Sequence, residues 1–187
     1  MFIDDGKGSG RRAGINDENR LLTDSVSASV EHHINHHDGL SFNVVIDQAP
    51  TAANDCIFYM ENTDEKDLIV EGVMLSVTGA AEIYFQVDAT GTRNSATDVT
   101  PVNLNRGSGK TATGNFEYGA DLDGGAATLA GGTEVDRYII RAAKDSTIYN
   151  FEQDLVLPKS RTLSIWSSST ETINATIFFN YHDKELG

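Results

Sequence analysis

Cysteine is nearly absent from this chain: Cys56 is the only one among 187 residues. That excludes an internal disulfide framework and any metal site built from several thiolates. Cys56 lies in the apolar run Cys-Ile-Phe-Tyr-Met, where a buried, inert thiol is the expected state rather than a nucleophile. Proline occurs only at Pro50, Pro101 and Pro158. Positive charge is also scarce, with 14 Lys and Arg against 28 Asp and Glu and a formal charge of −14. Nucleic-acid binding needs clustered cations to neutralise phosphates, so a role on DNA or RNA is not expected. No apolar stretch reaches bilayer-spanning length, and Met-Phe-Ile-Asp-Asp-Gly-Lys-Gly-Ser-Gly has no signal-peptide core, so neither a membrane partner nor secretion is expected.

What is present is a period of two. Phe42, Val44 and Ile46 alternate with polar neighbours, as do Ile83, Phe85 and Val87. Cys56, Phe58 and Met60 are placed on one face, with Ile57 and Tyr59 opposite. Along 67–78 the apolar set starts at Leu68 and Val70 and shifts phase to Val73, Leu75 and Val77. That slip at Glu71-Gly72 predicts a β-bulge, because one extra residue returns burial to the same face. Further strands are expected at 135–142, 149–157 and 162–167. The last strand carries Ile173, Ala175, Ile177, Phe179 and Tyr181 on one face. Only 17–22 has room for a helical turn. The pattern predicts an all-β chain, a single antiparallel β-sandwich of jelly-roll type over 25–187.

Two regions depart from it. Residues 1–24 are glycine-rich and basic, with Lys7, Arg11, Arg12 and Arg20, and read as an extended N-terminal arm. These four residues are the candidates for contacts with a shell or a neighbouring subunit, although packing on the chain's own domain fits equally. Residues 105–133 are rich in glycine and too long for an ordinary connection, so a short hairpin or a path over a neighbouring subunit is expected.

The search for chemistry yields little. Arg-Gly-Ser-Gly-Lys-Thr at 106–111 resembles the end of a phosphate loop, but Leu104 stands where its first glycine belongs and no helix follows. The Asp121-Leu-Asp-Gly-Gly and Asp64-Glu-Lys-Asp segments look like calcium loops without the twelve-residue spacing, and read as solvated turns. No Gly-x-Ser-x-Gly elbow occurs. No catalytic residue, metal ligand set or cofactor is therefore assigned, and the protein is expected not to be an enzyme. Trp166, Tyr149, Tyr84 and Phe178 are candidates for a sugar-stacking platform. Trp166 and Phe178 sit out of phase in their strands, which implies exposure or a second buried face, with burial against another subunit the favoured reading.

Three stretches carry a family resemblance. They are Ala-Gly-Ile-Asn-Asp-Glu-Asn-Arg-Leu-Leu-Thr-Asp-Ser-Val-Ser at 13–27, Ile-Phe-Tyr-Met-Glu-Asn-Thr-Asp-Glu-Lys-Asp-Leu-Ile-Val-Glu-Gly-Val at 57–73, and Leu-Pro-Lys-Ser-Arg-Thr-Leu-Ser-Ile at 157–165 with the following Asn-Ala-Thr-Ile-Phe-Phe-Asn-Tyr-His-Asp. Together they resemble small tailed-phage virion proteins of the head decoration (cement) type. The resemblance implies a sandwich made in the host cytoplasm and carried on the virion, commonly as a homotrimer whose arms clasp neighbours. Its partners would be the major capsid protein or other virion proteins. The alternative is a fibre or tail accessory module that binds a glycan or receptor.

The most specific local feature is Glu-His-His-Ile-Asn-His-His-Asp at 31–38. His32 with His36, or His33 with His37, would share a helical face and suit zinc or nickel, whereas in a strand they form an exposed or interface cluster. As an interface cluster, these histidines predict weaker assembly as pH falls from about 7 to about 5. Solution mass across that range checks it, and identical assembly throughout would end the idea.

Overall fold

The computed structural model describes residues 38–182, together with Asn35 and the segments Phe2–Asp4 and Arg12–Gly14. The two N-terminal segments, β1 (Phe2–Asp4) and β2 (Arg12–Gly14), pair antiparallel as a separate two-stranded sheet. The possible turn at 17–22 lies outside the described residues.

The body is built from β3 (Ser41–Gln48), β4 (Asp55–Asn62), β5 (Asp67–Val77), β6 (Ala81–Val87), β7 (Thr97–Asp98), β8 (Val102–Asn103), β9 (Gly114–Tyr118), β10 (Thr133–Ile140), β11 (Lys144–Leu157), β12 (Thr162–Ser167) and β13 (Ile173–His182). They form two antiparallel sheets, ordered β10-β6-β12-β4-β9-β7 and β11-β5-β13-β3-β8. The long strands pair in a nested way: β3 with β13, β4 with β12, β5 with β11, and β6 with β10. Nested pairing is a long hairpin rolled onto itself, which is the jelly roll. The short strands β7, β8 and β9 all come from the β6–β10 connection. They extend both sheets beyond β4 and β3, and such two-residue edges offer little template for pairing with other chains.

Alternation places the core between the sheets. Phe42, Val44 and Ile46 of β3 face Leu163 and Ile165 of β12 across an interior that also holds Val73, Leu75, Ile83, Phe85, Ile177 and Phe179. Each such side chain contributes about 1.5–3 kcal/mol by leaving water. Aromatic rings fill the middle, with Phe179 stacked on Phe42 at 5.7 Å and on Phe116 at 5.2 Å, and Phe85 stacked on Tyr149 at 5.1 Å.

Two bulges set which residues face inward. On β5, Phe178 pairs with Gly72 and Phe179 with Val70, which leaves Glu71 as the extra residue at the expected place. On β4, Ile165 pairs with Phe58 but Trp166 with Cys56, so Ile57 is the extra residue there. Ile57 and Phe58 consequently both enter the core, and Cys56 joins Tyr59 in a second cluster on the opposite face. This corrects the face expected for Cys56 and Ile57. Nothing in the apolar run Cys-Ile-Phe-Tyr marks the bulge, because every residue in it is buried.

The β5 bulge brings β11 close. A Cβ on Gly72 would stand 2.8 Å from the Tyr149 carbonyl and 2.8 Å from Asn150 Oδ1. Backbone cannot yield as a flexible side chain can, so Gly72→Ala is expected to destabilise by about 1–3 kcal/mol. Urea unfolding checks this, and an unchanged midpoint would show that β11 is not held tightly at Asn150.

Candidate functional site

The two sheets present outer faces of different chemistry. On the five-stranded sheet, register places Ile148, Met74, Thr176 and Val45 in one row across β11, β5, β13 and β3. The neighbouring rows are Asn150, Gly72, Phe178 and Asn43, then Val156, Ile69, Asn180 and Ser41. No ionisable side chain lies in these rows; the flanking rows of the same face carry Asp47, beside Asn174 and Ser76, and Asp67, beside His182. Val45 is 62% exposed and Ile148 63%. Glu71 comes in only at the bulge, where it accepts a hydrogen bond from Asn180 Nδ2 at 2.6 Å.

The outer face of the six-stranded sheet is polar and aromatic, and part of it is roofed. One row runs Arg137, Tyr84, Trp166 and Cys56 across β10, β6, β12 and β4; the next runs Glu134, Gln86, Ser164 and Tyr59. The latter half of the β6–β10 connection crosses over β4 and β12. There Leu122 and Leu129 pack with Cys56, Tyr59, Ala89 and Trp166 as a small second core. Backbone bonds from Leu122 N to Cys56 O (3.0 Å) and from Gly119 N to Ile57 O (3.2 Å) fasten it. The glycine-rich stretch therefore supplies strand β9 and a cover for its own sheet. Trp166, only 8% exposed, is buried by its own chain, which corrects the expected burial against another subunit. Arg93 lies 4.3 Å over the Tyr59 ring and pairs with Glu117.

Beside this cover stand Asp55, Asp121 and Asp123, with carboxylate oxygens within 4.8 Å of one another. Asp55 Oδ2 accepts from Thr51 Oγ1 (2.7 Å) and Ala52 N (2.6 Å); Asp123 Oδ1 accepts from Cys56 N (2.7 Å). Burial, aided by the charges of Asp55 and Asp121, holds Asp123 above the usual carboxylate range despite its backbone hydrogen bonds. Oxygen donors of this type suit a hard cation such as calcium. Asp121 and Asp123 were readable as a calcium-like loop, but Asp55 arrives from β4 and no spacing announces it. Burial, then the Asp123 charge, pushes the Cys56 thiol far up, and its Sγ donates to the Phe58 carbonyl. That environment leaves no thiolate for nucleophilic attack.

Next to the triad along β4, a hollow of about 270 Å³ opens between Asn54, Tyr84, Gln86, Glu134, Arg137 and Trp166. Arg137 lies 4.5 Å over the Tyr84 ring. It makes a forked pair with Glu134 at 2.9 and 3.0 Å and a third bond to Glu82 at 2.9 Å. Those bonds hold Glu134 below the usual carboxylate range. Trp166 Nε1 donates to Ser164 Oγ at 2.8 Å, which fixes the indole. Gln86 Oε1 is buried and has no hydrogen-bond partner.

Of the sequence candidates, Trp166 and Tyr84 converge on this hollow. Tyr149 does not: it points into the main core against Phe85, and its hydroxyl donates to Asp136. Phe178 lies on the other sheet's outer face. Arg12 is in β2, opposite Asp4. Lys7, Arg11, Arg20, His32, His33, His36 and His37 lie outside the described residues. The phosphate-loop look-alike at 106–111 is a loop between β8 and β9, where Asn105 Oδ1 accepts from Gly107 N and Ser108 Oγ donates to Gly39 O. The Asp64 segment is a turn in which Asp64 Oδ1 accepts from Lys66 N and the buried Asn62 donates to the Lys66 and Leu157 carbonyls.

The raised Asp123 has a pH signature. A carboxyl whose folded pKa exceeds its unfolded value loses stabilisation as pH rises through the carboxylate range. Asp123→Asn keeps the acceptor for Cys56 N and removes the charge. With divalent cations chelated, the variant should be more stable than wild type at pH 7, and the gain should vanish near pH 3. Urea unfolding at both values checks this; a gain that persists in acid would assign it to packing. In comparisons with known proteins, no family model, curated protein or solved structure matches the chain.

Proposed function

We propose that the protein is a non-enzymatic structural component of a tailed-phage particle, a head decoration protein that works as a self-associating jelly-roll module. The observation that carries this reading is the uncharged middle of the outer face of the five-stranded sheet, between Asp47 at one end and Asp67 with His182 at the other. In a chain of net charge −14, two copies repel wherever their carboxylates meet. The rows holding Val45, Phe178, Met74 and Ile148 are where like copies approach without that penalty. Depletion of charge together with Met and Phe is the composition of an interface core. The occupant of this face is a second copy of the chain, and the assembly is the homotrimer that the resemblance implies.

Decoration then follows from avidity. Each subunit makes a modest contact with the major capsid protein, and several linked contacts sum to firm attachment. Lys7, Arg11, Arg12 and Arg20 are opposite in sign to the acidic body, which suits them to reach an acidic shell or neighbour.

Light scattering after size exclusion tests the assembly. Wild type should have the mass of a trimer. The double variant Val45→Lys, Ile148→Lys should be a monomer with an unchanged β-type circular dichroism spectrum. A wild-type monomer at every concentration, or a variant that still assembles, would overturn the reading.

A further inference from the structure

We infer that the β8 end of the five-stranded sheet, Val102 and Leu104 with the adjoining cations Arg106 and Lys110, docks an acidic segment of a partner polypeptide that carries apolar side chains between its carboxylates. The inference does not rest on self-association, because the partner is a different chain.

Register fixes where this surface lies. Val102 pairs with Asn43, and Leu104 N donates to Ser41 O at 2.9 Å, so both side chains extend the outer-face rows to the edge of the sheet. They are 47% and 41% exposed. Asn103, between them, turns the other way, and its Nδ2 donates to the Gly39 carbonyl at 2.8 Å and to the Lys110 carbonyl at 2.9 Å. Asn105 Oδ1 accepts from Gly107 N at 3.1 Å. These bonds set Arg106 and Lys110 on the braced base of the loop and leave Gly109 at its tip.

The charges select the partner. Arg93, Arg137, Lys159 and Arg161 are each committed to a carboxylate of the chain itself. The side chains of Arg106 and Lys110 are exposed and make no hydrogen bond or ion pair among the described residues. No Asp or Glu occurs over 99–116, and Asp38, beside Gly39 at the base of the loop, pairs with neither cation. A body of net charge −14 repels an acidic partner over most of its surface, so such a partner approaches where uncompensated cations stand.

The loop does not suit a compact anion. The N–H groups of Gly107, Ser108 and Lys110 are taken up by Asn105 Oδ1, Asn105 O and Ser108 Oγ. Of residues 107–110 only Gly109 keeps a backbone donor, whereas a phosphate nest uses several in succession. Nucleic acid needs a larger set of cations than this pair. Val102 and Leu104 add an apolar step beside the charges, which a segment mixing carboxylates with leucine-like side chains covers and a bare anion does not. β8 has two residues and follows Pro101, so its edge offers little backbone pairing and the side chains do the selecting.

The probe is a fluorescein-labelled peptide of alternating Asp and Leu, compared with an Asp–Ser peptide of the same length and with inorganic phosphate as competitor. Anisotropy should show saturable binding of the Asp–Leu peptide that weakens as salt rises from about 0.05 M to about 0.5 M. The Asp–Ser peptide should bind about tenfold more weakly or less, and phosphate at equal concentration should not displace the probe. The double variant Arg106→Gln, Lys110→Gln should weaken binding about tenfold or more with Tm unchanged, because neither side chain holds the fold together. Lys159→Gln, Arg161→Gln removes the same two charges elsewhere and should bind as wild type does. Light scattering keeps the assembly reading apart: the Arg106→Gln, Lys110→Gln variant should keep the wild-type mass. No saturation by the Asp–Leu peptide, equal losses in the two double variants, equal binding of the Asp–Ser peptide, or displacement by phosphate would overturn the inference. So would a fall in mass of the Arg106→Gln, Lys110→Gln variant, which would make a second copy the occupant.

Discussion

The fold depends on where its last strand goes. β13 lies between β3 and β5, hydrogen-bonded to both, and carries Ile173, Ala175, Ile177, Phe179 and Tyr181 into the core. Until it is in place, β3 and β5 face each other across a gap the width of a strand. The Phe42–Phe179–Phe116 stack, which joins the two sheets, also lacks its middle ring. Tyr181 adds a tie of its own, accepting from Thr113 N at 3.1 Å and donating to the Thr113 carbonyl at 2.8 Å. Such long-range pairing makes formation of the sheet slow and highly cooperative.

That arrangement frees the outer faces to diverge. Alternation assigns one side chain of each pair to the core, and the other has no part in closing the sandwich. On the five-stranded sheet the middle rows are amides, hydroxyls and apolar groups, with Glu71 at the bulge and Asp47, Asp67 and His182 towards the ends. On the six-stranded sheet they are aromatics and charged groups tied into a network around Arg137. The roof over Cys56 and Tyr59 divides this second face into a dry half, buried under Leu122 and Leu129, and a wet half that contains the hollow. A single sheet thus supports both a small core and a polar recess.

Much of this was legible in the sequence, and the physical reason is the strict period of a half-buried strand. The alternation at Phe42, Val44 and Ile46 fixed an inward face, and the phase slip at Glu71-Gly72 marked a bulge because polar and apolar residues exchange places there. The bulge at Ile57 left no such mark, since its neighbours are apolar on both sides and burial does not distinguish them. Tyr149 was misplaced because a tyrosine serves equally in a core and on a surface; only its neighbours Phe85 and Phe151 decide. The carboxylate triad was half visible. Asp121 and Asp123 share a turn, but Asp55 meets them through the fold alone. The hollow was invisible as such, for its walls come from four separate segments of the chain.

The loop between β8 and β9 has a practical side. Asn105 and Ser108 anchor its base to Asn35 and Gly39, while a Cβ at Gly109 would meet nothing within 4 Å. An exposed tip held by a braced base is where foreign peptide is best tolerated. A tag or epitope spliced after Gly109 would project outward without entering either sheet. The molecule thereby offers a port for carrying cargo.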